Sequence, residues 1–522
     1  MSPPEREHRD VHKWVVAGTV LTGTIMAVLD ASIVNVALPS MTSTLGASIS
    51  EITWVVTGYI LAQVLFMPIT ALLSQRFGRR NFYIFSLVLF TVSSMLCGVA
   101  RTLPLMVGFR VLQGVGGGVL MIVSQAILRE TFPPEEQGMA MGMYGMGVVV
   151  APAVGPTLGG WITDNYTWPW VFYVNVPVGI LSLMLVTRFI HDPPYLVREK
   201  GRVDWVGIGL LALGLGSLQL MLEQGERHDW FESSYITALA ALAVVGMLVF
   251  VWHELRIRRP AVDLRILRNP TFTSATAIGG VLGMGLYGSL FLLPLFLQRL
   301  LGYTATLSGE TLIPRSLAMA VIMPISGRLY NRVGPRLLVG AGLVVSAWSF
   351  WELSHLTLSV GFWDVFWPQL WQGVGFGLIF VALSTAALAT IPKPRMTAAS
   401  GLYNVVRQVC GSVGIAAAAS ELGRATTRSH ALLWENLTAT DPQARAFLGG
   451  ASGAMLRLGS DAGTAARRAL RLLDYQVLRQ AGVLAYNHVF ALVAALFMLG
   501  VPLVLLLRRG EVEEGTGVMV EE

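Results

Sequence analysis

Charge is scarce in this chain. Asp, Glu, Lys and Arg make up 13% of its 522 residues, against about a quarter in soluble proteins. Lysine occurs only as Lys13, Lys200 and Lys393, followed by Trp14, Gly201 and Pro394. No Gly-Lys-Ser/Thr phosphate loop is therefore possible, which excludes ATP as the direct energy source. The two cysteines, Cys97 and Cys410, fall inside apolar runs and read as small apolar side chains, so they do not report on redox compartment. A His-Glu-x-x-His metal site is also missing, because His253-Glu254 has no second histidine. The formal charge is +6, yet the basic residues sit in short gaps between apolar runs rather than on one soluble face. Nucleic-acid binding is excluded on that ground. The expectation is a protein that is not an enzyme and needs no metal or cofactor.

Apolar residues are what the chain does have: 54% of it, with a mean hydropathy of +0.62. A bilayer core of roughly 30 Å takes about 20 apolar residues per helix. Fourteen such spans are predicted, at 14–38, 52–73, 81–100, 104–128, 138–163, 168–190, 204–223, 236–254, 272–297, 308–330, 336–356, 364–390, 398–421 and 484–507. The charged start "MSPPEREHRDVHKW" leads into a run too long for a signal-peptide core. Twenty-three Arg and Lys residues fall on the side of the two termini, against Arg101, Arg227 and Arg299 in the short loops opposite. Both termini are therefore expected in the cytoplasm. The long connection 422–483 lies on the other side, with helix starts expected at Asp441 and Ser460. Its stripe Ala466, Leu470, Leu473, Val477 and Leu478 fits either an amphipathic helix lying at the interface or a partner-docking surface.

The sequence also repeats. "ALLSQRFGRR" (71–80) matches "GRLYNRVGPR" (327–336), and "LQGVGGG" (112–118) matches "WQGVGFG" (371–377), at offsets of 256 and 259 residues. Two matches at nearly one spacing predict a duplicated six-helix half. The expected division is 1–190 and 272–522 as halves, with 191–271 as two inserted helices. Parallel repeats of this kind place a transport site between the halves.

An ionisable group inside a span is a functional candidate by default. Asp30 lies eight residues from the outer end of its span and Arg110 six residues in from Pro104, roughly 12 and 9 Å deep at 1.5 Å per residue. The two are expected to meet, either in a shared aqueous cavity or as a permanent ion pair fixing helix packing. Asn35, Gln113, Gln372, Asn404 and Arg407 are further cavity or substrate candidates. Arg407 suits an anionic substrate, a carboxylate from another helix or backbone carbonyls. Arg315 reads as an interface residue and Glu223 as a rim residue with a possible proton role. In "VVVAPAVGPTLGGWI" (148–162), Gly155, Gly159 and Gly160 form a smooth stripe, and Pro152 and Pro156 bend the helix. The loop "SQRFGRR" puts Gly78 among Arg76, Arg79 and Arg80, which reads either as positive-inside anchoring or as a latch holding helix C-termini of the neighbouring bundle.

"LDASIVNVALP", "RVLQGVGGG", "GPTLGGWI" and "QRFGRR" together resemble the major facilitator superfamily, and with fourteen spans its drug:proton antiporter branch. "WPWVFYVNVPVG" and "GSLQLMLEQGERHDWF" resemble the EmrB-type pumps of that branch in Gram-negative inner membranes. The resemblance implies an all-α membrane fold and export of hydrophobic toxic compounds against protons. It matches the family's first-span acid to Asp30, its fourth-span arginine to Arg110 and its antiporter Gly-Pro signature to Gly155 and Pro156. It also implies lipophilic substrates, a periplasmic adaptor of the EmrA type and an outer-membrane channel. The family's acid in the loop after the second span is Gln75 here, and Asn331 in the repeat. An acid-based latch is thus not expected, and arginines would serve instead. The competing expectation is a proton-coupled or facilitative transporter of one metabolite, fatty acid or siderophore.

Overall fold

The computed structural model describes residues 3–192, 203–257, 260–438 and 441–507. Arg198, Lys200, Arg202, Arg258, Arg259, Arg508 and Arg509, all used in the orientation argument, lie outside them. Fifteen helices carry the architecture of the described residues. These are α1 (Pro3–Leu45), α2 (Trp54–Phe77), α3 (Arg79–Gly98), α4 (Leu103–Thr131), α5 (Gln137–Asn165), α6 (Asn175–Phe189), α7 (Trp205–Gln224) and α8 (Ser234–Arg256). They continue as α9 (Pro270–Arg299), α10 (Ile313–Val333), α11 (Pro335–Leu353), α12 (Phe362–Ala389), α13 (Met396–Asn436), α14 (Pro442–Arg457) and α15 (Ala462–Gly500). Prolines mark several boundaries: Pro104, Pro270, Pro314 and Pro335 stand in first turns, where the missing N–H would have no helical partner anyway.

Thirteen helices among the described residues are long and apolar enough to cross a bilayer. The predicted span 398–421 lies in α13, which is not one of them. Its polar residues Thr397, Ser400, Asn404 and Arg407 are buried, so they lower its mean hydropathy while facing the protein interior rather than lipid. Outer faces elsewhere are apolar, as with Leu242, Val244, Val245 and Leu248 on α8. So large an apolar surface fits hydrocarbon rather than water.

The two pairs of matching sequence motifs take matching places in the packing. Gly78 and Gly334, at the 256-residue offset, both take a positive φ (85° and 88°) at the turn between two helices. A side chain there would strain the backbone. Gly114 of α4 lies against the Tyr59 carbonyl of α2, and Gly373 of α12 lies against the Arg315 carbonyl of α10 in the same way. Position 315 in the second set thus takes the place of Tyr59 in the first.

The two six-helix sets meet mainly at the arginine-rich end. There α5 packs on α10 and α12, and α13 packs on α2 and α4. Gly138 and Gly327 touch backbone to backbone, and Gly142 lies on Met323. Of the inserted pair, α7 leans on both α2 and α13, with Gln219 donating to the Ser412 hydroxyl at 2.9 Å.

At the opposite end, α13 and α15 run on beyond the predicted spans, and α14 packs on α15. Segment 462–483 is a continuous extension of the last spanning helix, not a separate helix lying along an interface. Asp441 caps α14 as expected, but Asp461 rather than Ser460 caps α15. The buried line on α15 is Ala465, Ala469, Leu473 and Val477, a strict four-residue spacing, while Leu470 and Leu478 are exposed.

Candidate functional site

Asp30 is fully buried and caged by donors from two helices. Arg110 Nη1 donates to Asp30 Oδ2 at 2.5 Å, Gln113 Nε2 to Oδ1 at 2.8 Å and Asn175 Nδ2 to Oδ1 at 2.6 Å. The spacing of Arg110 and Gln113, one turn apart on α4, puts both on one helix face. Arg110 Nη1 also donates to Gln113 Oε1 (2.7 Å) and its Nε to the Val55 carbonyl (3.0 Å). Its guanidinium lies 4.2 Å from the Tyr59 ring centroid and 5.8 Å from that of Phe172. Asn175 is itself held by Ser94, whose hydroxyl accepts from Asn175 Nδ2 at 3.0 Å and donates to the Phe172 carbonyl at 2.9 Å.

Asp30 and Arg110 meet as the expected pair, Gln113, expected as a cavity or substrate residue, joins them, and no aqueous cavity surrounds them. All three are 0% exposed, because Tyr59 and Phe172 close over the guanidinium. Every partner of the carboxylate donates to it, which is the arrangement an ionised, acceptor-only carboxylate takes. Arg110 Nη2 and Asn175 Oδ1 are left without hydrogen-bond partners. Asn175 was missed by sequence reasoning, although a lone polar residue inside the apolar run "VFYVNVPVG" was the available signal.

The Gly-Pro stretch of α5 packs directly on α1. Pro156 has no N–H to give the Pro152 carbonyl, and the Ser32 hydroxyl of α1 donates to that carbonyl instead, at 3.0 Å. Gly155 allows the approach, since a Cβ there would stand 2.5 Å from Ser32 Oγ. A Cβ on Gly159 would stand 2.8 Å from the Ile33 carbonyl, whereas one on Gly160 would meet only Val36 at 4.0 Å. Gly159→Val should separate α1 from α5 and cost about 1–3 kcal/mol of stability. Gly160→Ala should change stability by no more than about 0.5 kcal/mol. Ser32→Ala strands the Pro152 carbonyl and should cost about 1–3 kcal/mol. Thermal melting of the purified variants checks all three, and equal losses at Gly159 and Gly160 would contradict this packing.

Gln372, at the repeat position of Gln113, accepts from Arg315 Nη1 at 3.2 Å, and Ser289 Oγ accepts from the same nitrogen at 3.0 Å. Arg315 is only 3% exposed, so it is a core residue rather than the interface residue predicted. Asn404 and Arg407 join a chain that crosses between the two sets. Arg407 Nη2 donates to Asn404 Oδ1 (2.7 Å), and Asn404 Nδ2 donates to Gln125 Oε1 of α4 (2.7 Å). The Ser400 hydroxyl donates to the same Gln125 oxygen. The expectation of a carboxylate from another helix is not met at Arg407, nor does its guanidinium bond a backbone carbonyl among the described residues.

Two candidates fall outside these clusters. Asn35 is exposed and turns its amide back onto the Ala31 carbonyl (3.2 Å), because it lies on the opposite flank of α1 from the caged acid. Glu223 is half-buried rather than a solvated rim residue, accepting from Gln219 at 3.1 Å and contacting Thr57.

Arg79 and Arg80 of the loop hold their own set. Arg79 pairs with Glu130, and Arg80 Nη2 donates to the Thr187 carbonyl near the C-terminus of α6 at 2.7 Å. Two loop amides cross between the sets: Asn331 Nδ2 donates to the Glu135 carbonyl (2.5 Å) and Gln75 Nε2 to the Pro394 carbonyl (3.4 Å). These amides stand at the two positions where the family resemblance implied an acid. A neutral donor reaches a carbonyl there that a carboxylate would be repelled by.

Residues 20–415 match the model of the Major Facilitator Superfamily. The chain is 37% identical over 486 residues to the multidrug export protein EmrB of Haemophilus influenzae, covering 91% of this chain and 92% of the relative. It is 33% identical over 476 residues to EmrB of Escherichia coli K12, covering 91% of each. The human organic anion transporter MFSD10 superimposes with a TM-score of 0.61 at 14% identity, over 94% of this chain and 99% of that one, a likeness of fold alone.

Proposed function

Since the chain belongs to the Major Facilitator Superfamily, and to its EmrB-type branch, we propose that it exports hydrophobic toxic compounds in exchange for protons by alternating access. It would act in the cell inner membrane with both termini cytoplasmic. Residues 1–190 and 272–522 would rock against each other, with 191–271 as the linker pair. On that orientation the arginine-rich end is the cytoplasmic gate, closed here by α5 on α10 and by α2 on α13.

One observation carries the coupling: three N–H donors on a fully buried Asp30. A proton arriving at Oδ1 or Oδ2 places an O–H where a donor already points. Arg110, Gln113 or Asn175 must then turn away. Arg110 and Gln113 share a face of α4, so protonation of a carboxylate on α1 becomes a displacement of α4 and α6 against it. Arg110, released, has its Nη2 as a second free donor. The two protonation states thereby prefer different packings, which is the requirement for coupling.

The extension formed by α13, α14 and α15 supports a tripartite assembly. It leaves Leu456, Leu458, Leu470 and Leu478 exposed, in a position to meet a periplasmic adaptor of the EmrA type that leads to an outer-membrane channel.

Proteoliposomes with an imposed pH gradient test the reading. Lipophilic compounds should move uphill as protons run down, with the protein in the bilayer as the sole addition. Substrate moving with protons in one direction, or indifference to the gradient, would show a symporter or a facilitator instead.

A further inference from the structure

The N-terminal set neutralises its buried guanidinium with Asp30, but the C-terminal set has nothing comparable at Arg407. That residue is 5% exposed, and no carboxylate lies within ion-pair distance of it among the described residues. Its Nη2 is committed to Asn404 and the Tyr403 hydroxyl interacts with the guanidinium, whereas its Nη1 is buried without a well-formed hydrogen bond. One link along, Gln125 is 0% exposed, with its oxygen taken by Ser400 and Asn404 and its Nε2 also lacking a partner. The unmatched groups at both ends of this chain are donors, one from each half of the molecule. An uncompensated cation and unsatisfied N–H groups inside a membrane protein are costly, and such groups mark a place where a ligand completes the bonding.

The geometry points to Arg407 and Gln125 as the seat for the acidic head of an anionic amphiphile, an inference that rests on the export reading above. The surroundings fit the rest of such a molecule. The Phe380 ring centroid lies 4.8 Å from the guanidinium carbon and that of Tyr403 5.7 Å. Met323 and Phe380 together face Gly145, and thioethers adapt to loosely shaped apolar bodies. A head group bonded to Arg407 on α13 and Gln125 on α4 would also tie the two halves, so its arrival and departure would bias their rocking.

Dansyl-tagged alkyl chains of equal length, ending in a sulfonate, a carboxamide or a trimethylammonium group, test this in proteoliposomes of the full chain under a pH gradient. The wild type should carry the sulfonate at least as fast as the carboxamide. Arg407→Gln should lower sulfonate transport by roughly tenfold or more and carboxamide transport by less than about twofold, while Arg407→Lys restores much of the sulfonate rate. Gln125→Leu should weaken sulfonate transport in the same selective way. Equal loss of all three probes in Arg407→Gln, with no recovery in Arg407→Lys, would make Arg407 a structural clamp and overturn the assignment. So would a wild type that moves the carboxamide or the ammonium probe but not the sulfonate, and that result would leave the export reading standing. A wild type that moves none of the three would remove both.

Discussion

Asp30→Asn is expected to abolish uphill export. One elementary charge crossing about 100 mV supplies about 2.3 kcal/mol, enough to sustain a substrate ratio of about 50; in the variant that ratio should collapse to one. The reason is local. An asparagine oxygen still accepts from Gln113 and Asn175, but its amide N–H then faces Arg110 Nη1, which has lost its acceptor. Breaking one side of a buried pair costs about 3–5 kcal/mol, so the single variant should also melt earlier. Asp30→Asn/Arg110→Gln removes the stranded guanidinium and should recover most of that stability, yet remain uncoupled. Vesicle accumulation assays and melting curves on both variants separate the two effects. Accumulation by Asp30→Asn at the wild-type ratio would dismiss Asp30 as the coupling acid.

The second large effect is expected at the gate between the halves. Gly138 and Gly327 meet through their backbones, so neither has room for a Cβ while this end is closed. Gly138→Val should force α5 from α10, and overpacking of this kind costs about 1–3 kcal/mol. A cost of about 1.4 kcal/mol shifts a two-state equilibrium tenfold, which should hold the gate open and cut transport by roughly that factor. Spin labels at Pro134→Cys and Leu337→Cys should report a longer separation in the variant. An unchanged distance with unchanged transport would mean that this contact does not form in the working cycle. Gly108, which has open space around it, serves as the control: Gly108→Ala should leave both measurements alone.

How much of this was legible beforehand differs by element. The spans were, since hydrocarbon admits only helices of a given length and apolarity, and thirteen of the fourteen satisfy that criterion in the structure. Even the exception, α13, follows from its own polarity: Asn404 and Arg407 lower its hydropathy because they belong to the interior. The pairing of Asp30 with Arg110 was legible as well, from matched depth and opposite charge. Asn175 was not, because a single amide in an apolar run has no partner identifiable by spacing. The exchange of roles in the loops was equally hidden. The loop arginines read either as positive-inside anchors or as a latch, yet Arg79 and Arg80 stay within their own set, and the neutral Gln75 and Asn331 cross.

The sequence by itself determined where most of the spans lie and the scarcity of charge within them, for these depend on composition and periodicity, which the bilayer enforces residue by residue. Only the tertiary structure decided that the acid is dry and caged by three donors, that Ser32 replaces the bond Pro156 cannot make, and that Arg407 has no counter-ion among the described residues. Each of those depends on which side chains from distant spans share a few ångströms, and hydrogen bonds and ion pairs are set by that distance alone.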